Sequence, residues 1–136
     1  MILVDTNVLL DLLEGGEWAD WSRDTLSDAQ SMARLFVNQV VRAEAASHFA
    51  TLQEQSEYLS ELAIETVSLD NSSAFRAGQA FRAYRRRGGT RPQMLADFLI
   101  GGHAAALGAP LLTRDRRRFT TYFPELTLIT PETENG

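Results

Sequence analysis

Two spacings of apolar residues divide the chain. Short runs at 2–4, 34–37, 66–69, 110–113 and 126–129 read as strands. The unbroken run Ile2-Leu3-Val4 suits a strand buried on both faces of a parallel sheet. Between these runs, apolar residues recur three and four apart and trace helical stripes. Val8, Leu9, Leu10, Leu12 and Leu13 open the first helix, and Gly15-Gly16 should close it. A second helix, about 17–29, sets Trp18, Trp21 and Leu26 near one face and an acidic, solvated stripe (Glu17, Asp20, Asp24, Asp28) on another. The tryptophans read as packing residues or a partner-facing patch.

Asn38 is placed to cap a third helix, whose Val41, Glu44, Ala45 and His48 share one face, the stripe that should turn inward. A fourth, about 52–63, turns Glu54, Glu57 and Glu61 to water. Asp70 or Asn71 caps a long helix to about Arg87, with Ala74, Ala77, Gly78, Phe81 and Tyr84 or Arg85 inward. Thr90 and Gln93 read as a capping box for a helix that buries Leu95, Phe98, Leu99, Gly102 and Ala106 and ends at Gly108. Gly101 and Gly102 are expected to allow close packing, and His103 to be a packed or surface residue. Strands alternating with helices imply an α/β fold: a three-layer α/β/α domain around a parallel sheet of four to five strands.

At 136 residues, without a repeat or a long linker, one domain over 1–131 is expected, with a frayed polar tail at 132–136. The chain has no cysteine, which excludes disulfides and thiolate metal sites. No apolar run approaches a membrane span, and Asp5 interrupts the only candidate signal core, so a cytoplasmic protein with no membrane partner is expected. The net charge of −5 hides an asymmetry: residues 1–70 carry a net −10, and residues 71–136 a net +5. Every basic residue apart from the histidines is arginine, whose planar donor fork suits phosphate. An electropositive second half is compatible with nucleic acid.

Asp5 falls at the end of the first strand, where open α/β sheets place their ligands. Thr6 and Asn7 beside it can satisfy free donors as the helix begins. Asp115 repeats the arrangement after the fourth strand, and Glu44 and Asp97 lie on helices that begin at the same rim. Two carboxylates about 5 Å apart repel by roughly 3 kcal/mol at an effective dielectric of 20. Four together call for cations or raised pKa values. A hard divalent ion, Mg²⁺ or Mn²⁺, is the economical answer, and it would suit in-line displacement at a phosphodiester.

With these residues in place, the chain resembles the PIN-domain ribonucleases, and among them the VapC toxins of bacterial VapBC toxin–antitoxin systems. The resemblance runs from Met1 to about Pro131. It is carried by ILVDTNVLLDLL, NQVVRAEAA around Glu44, LADFLIGGHAAALG around Asp97, and LLTRDRRRFTTYFPELTLITP. It implies a parallel sheet and a catalytic, metal-binding quartet of Asp5, Glu44, Asp97 and Asp115. Thr113 would support the site, and Asn7 would orient the first acid. It further implies Mg²⁺ or Mn²⁺ as cofactor, endonucleolytic cutting of RNA, a homodimer, and neutralisation by a small VapB-like antitoxin. Arg114, Arg116, Arg117 and Arg118 flank the site in sequence and are candidates to guide RNA. An aspartyl-phosphate mechanism is disfavoured, because Asn7 stands where such phosphatases need a second Asp and the chain has no lysine. A PIN-like scaffold that binds RNA or a partner without cutting is the alternative.

Overall fold

In the computed structural model, which describes residues 1–131, the opening apolar run becomes the centre of a sheet. Five strands form it: β1 (Ile2–Val4), β2 (Leu35–Val37), β3 (Ile64–Thr66), β4 (Leu111–Leu112) and β5 (Leu128–Ile129). All pairs are parallel and the order is β3-β2-β1-β4-β5. Among the described residues seven α-helices flank the sheet: α1 (Thr6–Glu14), α2 (Ala19–Met32), α3 (Gln39–Ala45), α4 (Leu52–Glu61), α5 (Asn71–Arg86), α6 (Met94–Leu107) and α7 (Arg117–Thr120). The three-layer α/β/α expectation is met. The expected tail at 132–136 lies outside the described residues. Among the described residues, no helix is long and apolar enough to cross a membrane.

The strand order decides where a site can form. The chain moves outward from β1 to β2 and β3, then returns past β1 to β4 and β5. Connections therefore diverge between β1 and β4, which opens a crevice at their carboxyl ends. Leu3, Val4, Leu35, Phe36, Leu111 and Leu112 are buried and hold the floor of that crevice.

Local signals place several helices as expected. Asn38 caps α3 by accepting from the Val40 and Val41 N–H groups, and Asp70 caps α5 by accepting from Ser73 N–H. Gly108 closes α6 in the left-handed conformation (φ 66°). The close-packing reading of the glycine pair also holds. A Cβ on Gly102 would lie 2.9 Å from the Ala77 nitrogen and 3.0 Å from the Ser73 carbonyl oxygen of α5. One on Gly101 would meet the rings of Phe119 and Phe123.

Other expectations are corrected. β3 begins at Ile64, not 66, because pairing with β2 (Leu35↔Ile64, Val37↔Thr66) sets its register. It is an edge strand with Glu65 and Thr66 exposed, so no apolar run marks it. Thr90 does not cap α6. The Arg91 N–H donates to Tyr84 Oη, a turn follows, and the helix starts at Met94 without a side-chain cap. Leu95 and Ala106 are exposed, and the buried face instead runs through Met94, Asp97, Phe98, Ile100 and Gly101 to Ala104. On α5, Ala74, Gly78 and Arg85 face water, while Ser73, Ala77 and Ala80 turn inward. His48 is exposed on a 3₁₀ turn (Ala46–His48), with Nε2 2.9 Å from Glu14.

His103 is buried on α6, and its Nδ1 accepts from Asn38 Nδ2 at 3.1 Å. This bond joins the start of α3 to α6, the two helices that carry Glu44 and Asp97. Burial lowers the His103 pKa below its ordinary 6.5, against the pull of Asp70. The unfolded chain therefore takes up the proton first. Its contribution to stability is full above 6.5 and is lost as pH falls through the folded value. Urea unfolding across this range should show the stability of the wild-type chain relative to His103→Gln declining toward acid.

Candidate active site

Asp5 ends β1 and begins α1. Its N–H donates to the Leu112 carbonyl at 2.9 Å, continuing the sheet. Its Oδ1 accepts from Thr6 N–H at 2.8 Å and caps the helix. Its Oδ2 accepts from the Thr113 hydroxyl at 2.7 Å. That hydroxyl in turn accepts from Asp115 N–H (3.0 Å) and Asn7 Nδ2 (3.3 Å). Thr113 is thus a fully buried relay with its hydrogen-bonding capacity filled. Asn7 Oδ1 accepts from Arg114 N–H at 3.2 Å. The expectation that Thr6 and Asn7 cap the helix with their side chains is corrected: Asp5 caps it, and Asn7 reaches Asp5 through Thr113.

The Thr6 hydroxyl ties in a second acid, donating to Glu44 Oε1 at 2.6 Å. Glu44 is exposed rather than turned into the core, because the inward stripe of α3 is only Val41 and Ala45. Asp97, in the first turn of α6, is buried. Asp115, after β4, is half-buried. Arg118 joins these last two: its Nη1 donates to Asp97 Oδ1 at 2.9 Å and its Nε to Asp115 Oδ2 at 2.7 Å.

Burial pushes the Asp5 carboxyl up from 3.8 to about 6, although Thr113, Arg118 and the Thr6 N–H pull it down. Burial also raises Asp97; Arg118 opposes this, and the charges of Glu44 and Asp115 add to it. At Asp115 burial is outweighed by the bonds and charge of Arg118, so its pKa falls. The charge of Asp97 in turn adds to the rise at Asp5, so Asp97 is electrostatically linked to the other three acids. Oxygen donors alone, without thiolate or imidazole, suit a hard divalent ion. As the side chains stand, no three acidic or histidine groups among the described residues are placed to hold one. The positive charge between Asp97 and Asp115 is Arg118.

The four candidate arginines divide. Arg114 forks onto buried Asp11 (2.6 and 3.0 Å) and lies over the Trp18 ring, so it is built into the fold. Arg118 turns to the acids. Arg116 and Arg117 are exposed and, with Asn7, Trp18 and Thr120, line a cleft of about 970 Å³ beside the site. Two roles escaped the sequence reading. Asp11 follows Val8 by three residues on the buried side of α1, a visible spacing that marks it as a carboxylate needing a partner. Arg118 follows Asp115 by three, which also allows a pair.

Thr113→Val removes a hydroxyl that orients Asp5 and leaves two donors unpaired. It should cost about 10–100-fold in kcat or in ion affinity, the scale of losing an orienting partner. Steady-state kinetics with an ion titration checks this.

A PIN domain model matches residues 2–122. A sequence comparison with curated proteins gives no significant match. Among solved structures, the chain is similar to VapBC2 of Rickettsia felis, solved with a promoter DNA fragment (20% identity, 96% of this chain and 98% of that chain, TM-score 0.72). It is also similar to VapBC-1 of nontypeable Haemophilus influenzae (18% identity, 96% and 98%, TM-score 0.72). FitAcB of Neisseria gonorrhoeae is a further neighbour (20% identity, 95% and 96%, TM-score 0.62). At these identities the structural likeness is one of fold. The match over nearly the whole chain supplies the family: the chain belongs to the PIN domain family, whose members are generally nucleases.

Proposed function

We propose that this chain is the toxin of a type II toxin–antitoxin pair and a Mg²⁺- or Mn²⁺-dependent endoribonuclease acting in the cytoplasm. The observation that supports the reading is the set of hydrogen bonds on the four acids: Thr113 holds Asp5, where β1 ends beside β4, Thr6, the next residue, holds Glu44, and Arg118 joins Asp97 to Asp115. Asp5, Glu44 and Asp97 are the residues to hold the ion, with Asp115 holding a second ion or its water shell. When bound, the ion supplies the charge that activates a water and stabilises the departing 3′ oxygen. Thr113 and Thr6 fix the carboxylates of Asp5 and Glu44 for that task. The cleft lined by Trp18, Arg116 and Arg117 gives a single strand its approach to the acids.

The toxin role draws on the VapBC neighbours, among them VapBC-5 of Mycobacterium tuberculosis, a member of the VapBC family of toxin–antitoxin systems. A VapB-like antitoxin and a second copy of the chain are the corresponding partners. The test uses protein purified free of any antitoxin and incubated with RNA in Mg²⁺, Mn²⁺ or EDTA. Products with 5′-phosphate and 3′-hydroxyl ends, formed only with a divalent ion, are expected. Binding without products favours a scaffold, and cutting in EDTA contradicts the proposed chemistry.

A further inference from the structure

Arg118 belongs to an arginine run beside an open cleft, yet its guanidinium turns inward and bridges two acids from different elements. Its backbone has little freedom. The next residue, Phe119, is fully buried and packs where Gly101 leaves room for its ring. Its side chain is less confined, since Arg118 also lines the cleft of about 970 Å³. The oxygens it holds, Asp97 Oδ1 and Asp115 Oδ2, belong to the acids assigned above to an ion. A guanidinium and a divalent cation repel at such separations and cannot share them.

We propose that Arg118 and a divalent ion are alternative occupants of the acidic site, so that loading the ion releases Arg118 into the adjoining cleft. This inference rests on the nuclease reading above. Without an ion, Arg118 neutralises Asp97 and Asp115 and keeps their like charges from splaying α6 and the β4–α7 loop apart. With the ion in place, its fork is free to meet a phosphate of the nucleic acid strand in the cleft. Arg118 thus links ion loading to substrate contact.

The test measures Mn²⁺ affinity from the electron paramagnetic resonance of free Mn²⁺, for the wild-type chain, Arg118→Gln, Arg118→Lys and Asp5→Asn. Arg118→Gln should bind Mn²⁺ at least about tenfold more tightly than wild type, because the positive charge competing for the same carboxylates is gone. Arg118→Lys, which keeps the charge, should stay close to wild type. In a ¹⁵N spectrum, the Arg118 Nε–H signal, identified by its loss in Arg118→Lys, should be sharp in EDTA and disappear on adding Mg²⁺. If Asp5→Asn binds more weakly than wild type but Arg118→Gln binds no more tightly, the ion site stands and the exchange is wrong. If all four proteins bind Mn²⁺ alike, the acids hold no ion, and the nuclease reading falls together with the exchange. Should Arg118→Gln fail to fold in EDTA, the wild-type Nε–H signal decides: its persistence at saturating Mg²⁺ overturns the proposal.

Discussion

Asp5→Asn is expected to abolish RNA cleavage while the fold survives. Asp5 is 1% exposed and is the point on which the site's hydrogen bonds converge. The loss should exceed the roughly 10–100-fold seen when an orienting partner is removed, because here a proposed ligand itself goes. Growth arrest on expression should disappear with it. A second readout separates chemistry from folding. The folded pKa of Asp5 is about 6 against an ordinary 3.8, so the native state holds its proton more tightly than the unfolded chain does. Its favourable contribution is present below 3.8 and is lost as pH rises through about 6. The difference corresponds to about 3 kcal/mol on full ionisation, to order of magnitude. In EDTA, then, the stability of the wild-type chain relative to Asp5→Asn should decline as pH rises between these values. Full activity in this variant would sink the assignment of Asp5.

Gly102→Val should bring the largest loss of stability, and should disable the site without touching it. The added atoms meet α5 backbone, with the Ala77 nitrogen at 2.9 Å and the Ser73 carbonyl oxygen at 3.0 Å from the first carbon alone. Backbone cannot swing aside as a side chain can, so α5 and α6 must separate. Overpacking costs about 1–3 kcal/mol, and a β-branched residue against two helices belongs at or above the upper end. A fall of about 10 °C in Tm follows for a domain of this size. Because α6 carries Asp97, activity should fall as well. Gly78→Ala is the control: it lies on an exposed part of α5 with nothing within 4 Å of the added carbon. That change should leave stability unchanged or raise it by up to about 1 kcal/mol, as alanine for glycine does in a helix. Thermal unfolding of the two variants side by side checks both.

What could be read in advance depended on how local the cause was. The buried strand at Ile2–Val4 and the caps Asn38 and Asp70 were legible, because each is set by neighbours in sequence. The edge strand at Ile64–Thr66 was misplaced by two residues, since its limits come from pairing with β2 and not from its own side chains. The buried face of α6 was misread because the helix is apolar nearly all round, so no stripe distinguishes the packed side. Glu44, Asp97 and Asp115 were named for their chemistry, but the bonds that hold them were not. Thr6 meets Glu44 from 38 positions away, and Arg118 meets Asp97 from 21. Glu44 was also expected inside and is exposed, since a threonine hydroxyl and not burial positions it.

The proposed chemistry requires four carboxylates from separate parts of the chain to share a divalent cation at the β1–β4 crevice. Crystals grown in EDTA and soaked in excess MnCl₂, with data collected near the manganese absorption edge, address this directly. An anomalous peak about 2–2.3 Å from oxygens of Asp5 and Asp97, with Glu44 or Asp115 reached directly or through water, is the expected result. A map with no peak there at saturating Mn²⁺, and Arg118 still forked between Asp97 and Asp115, would contradict it.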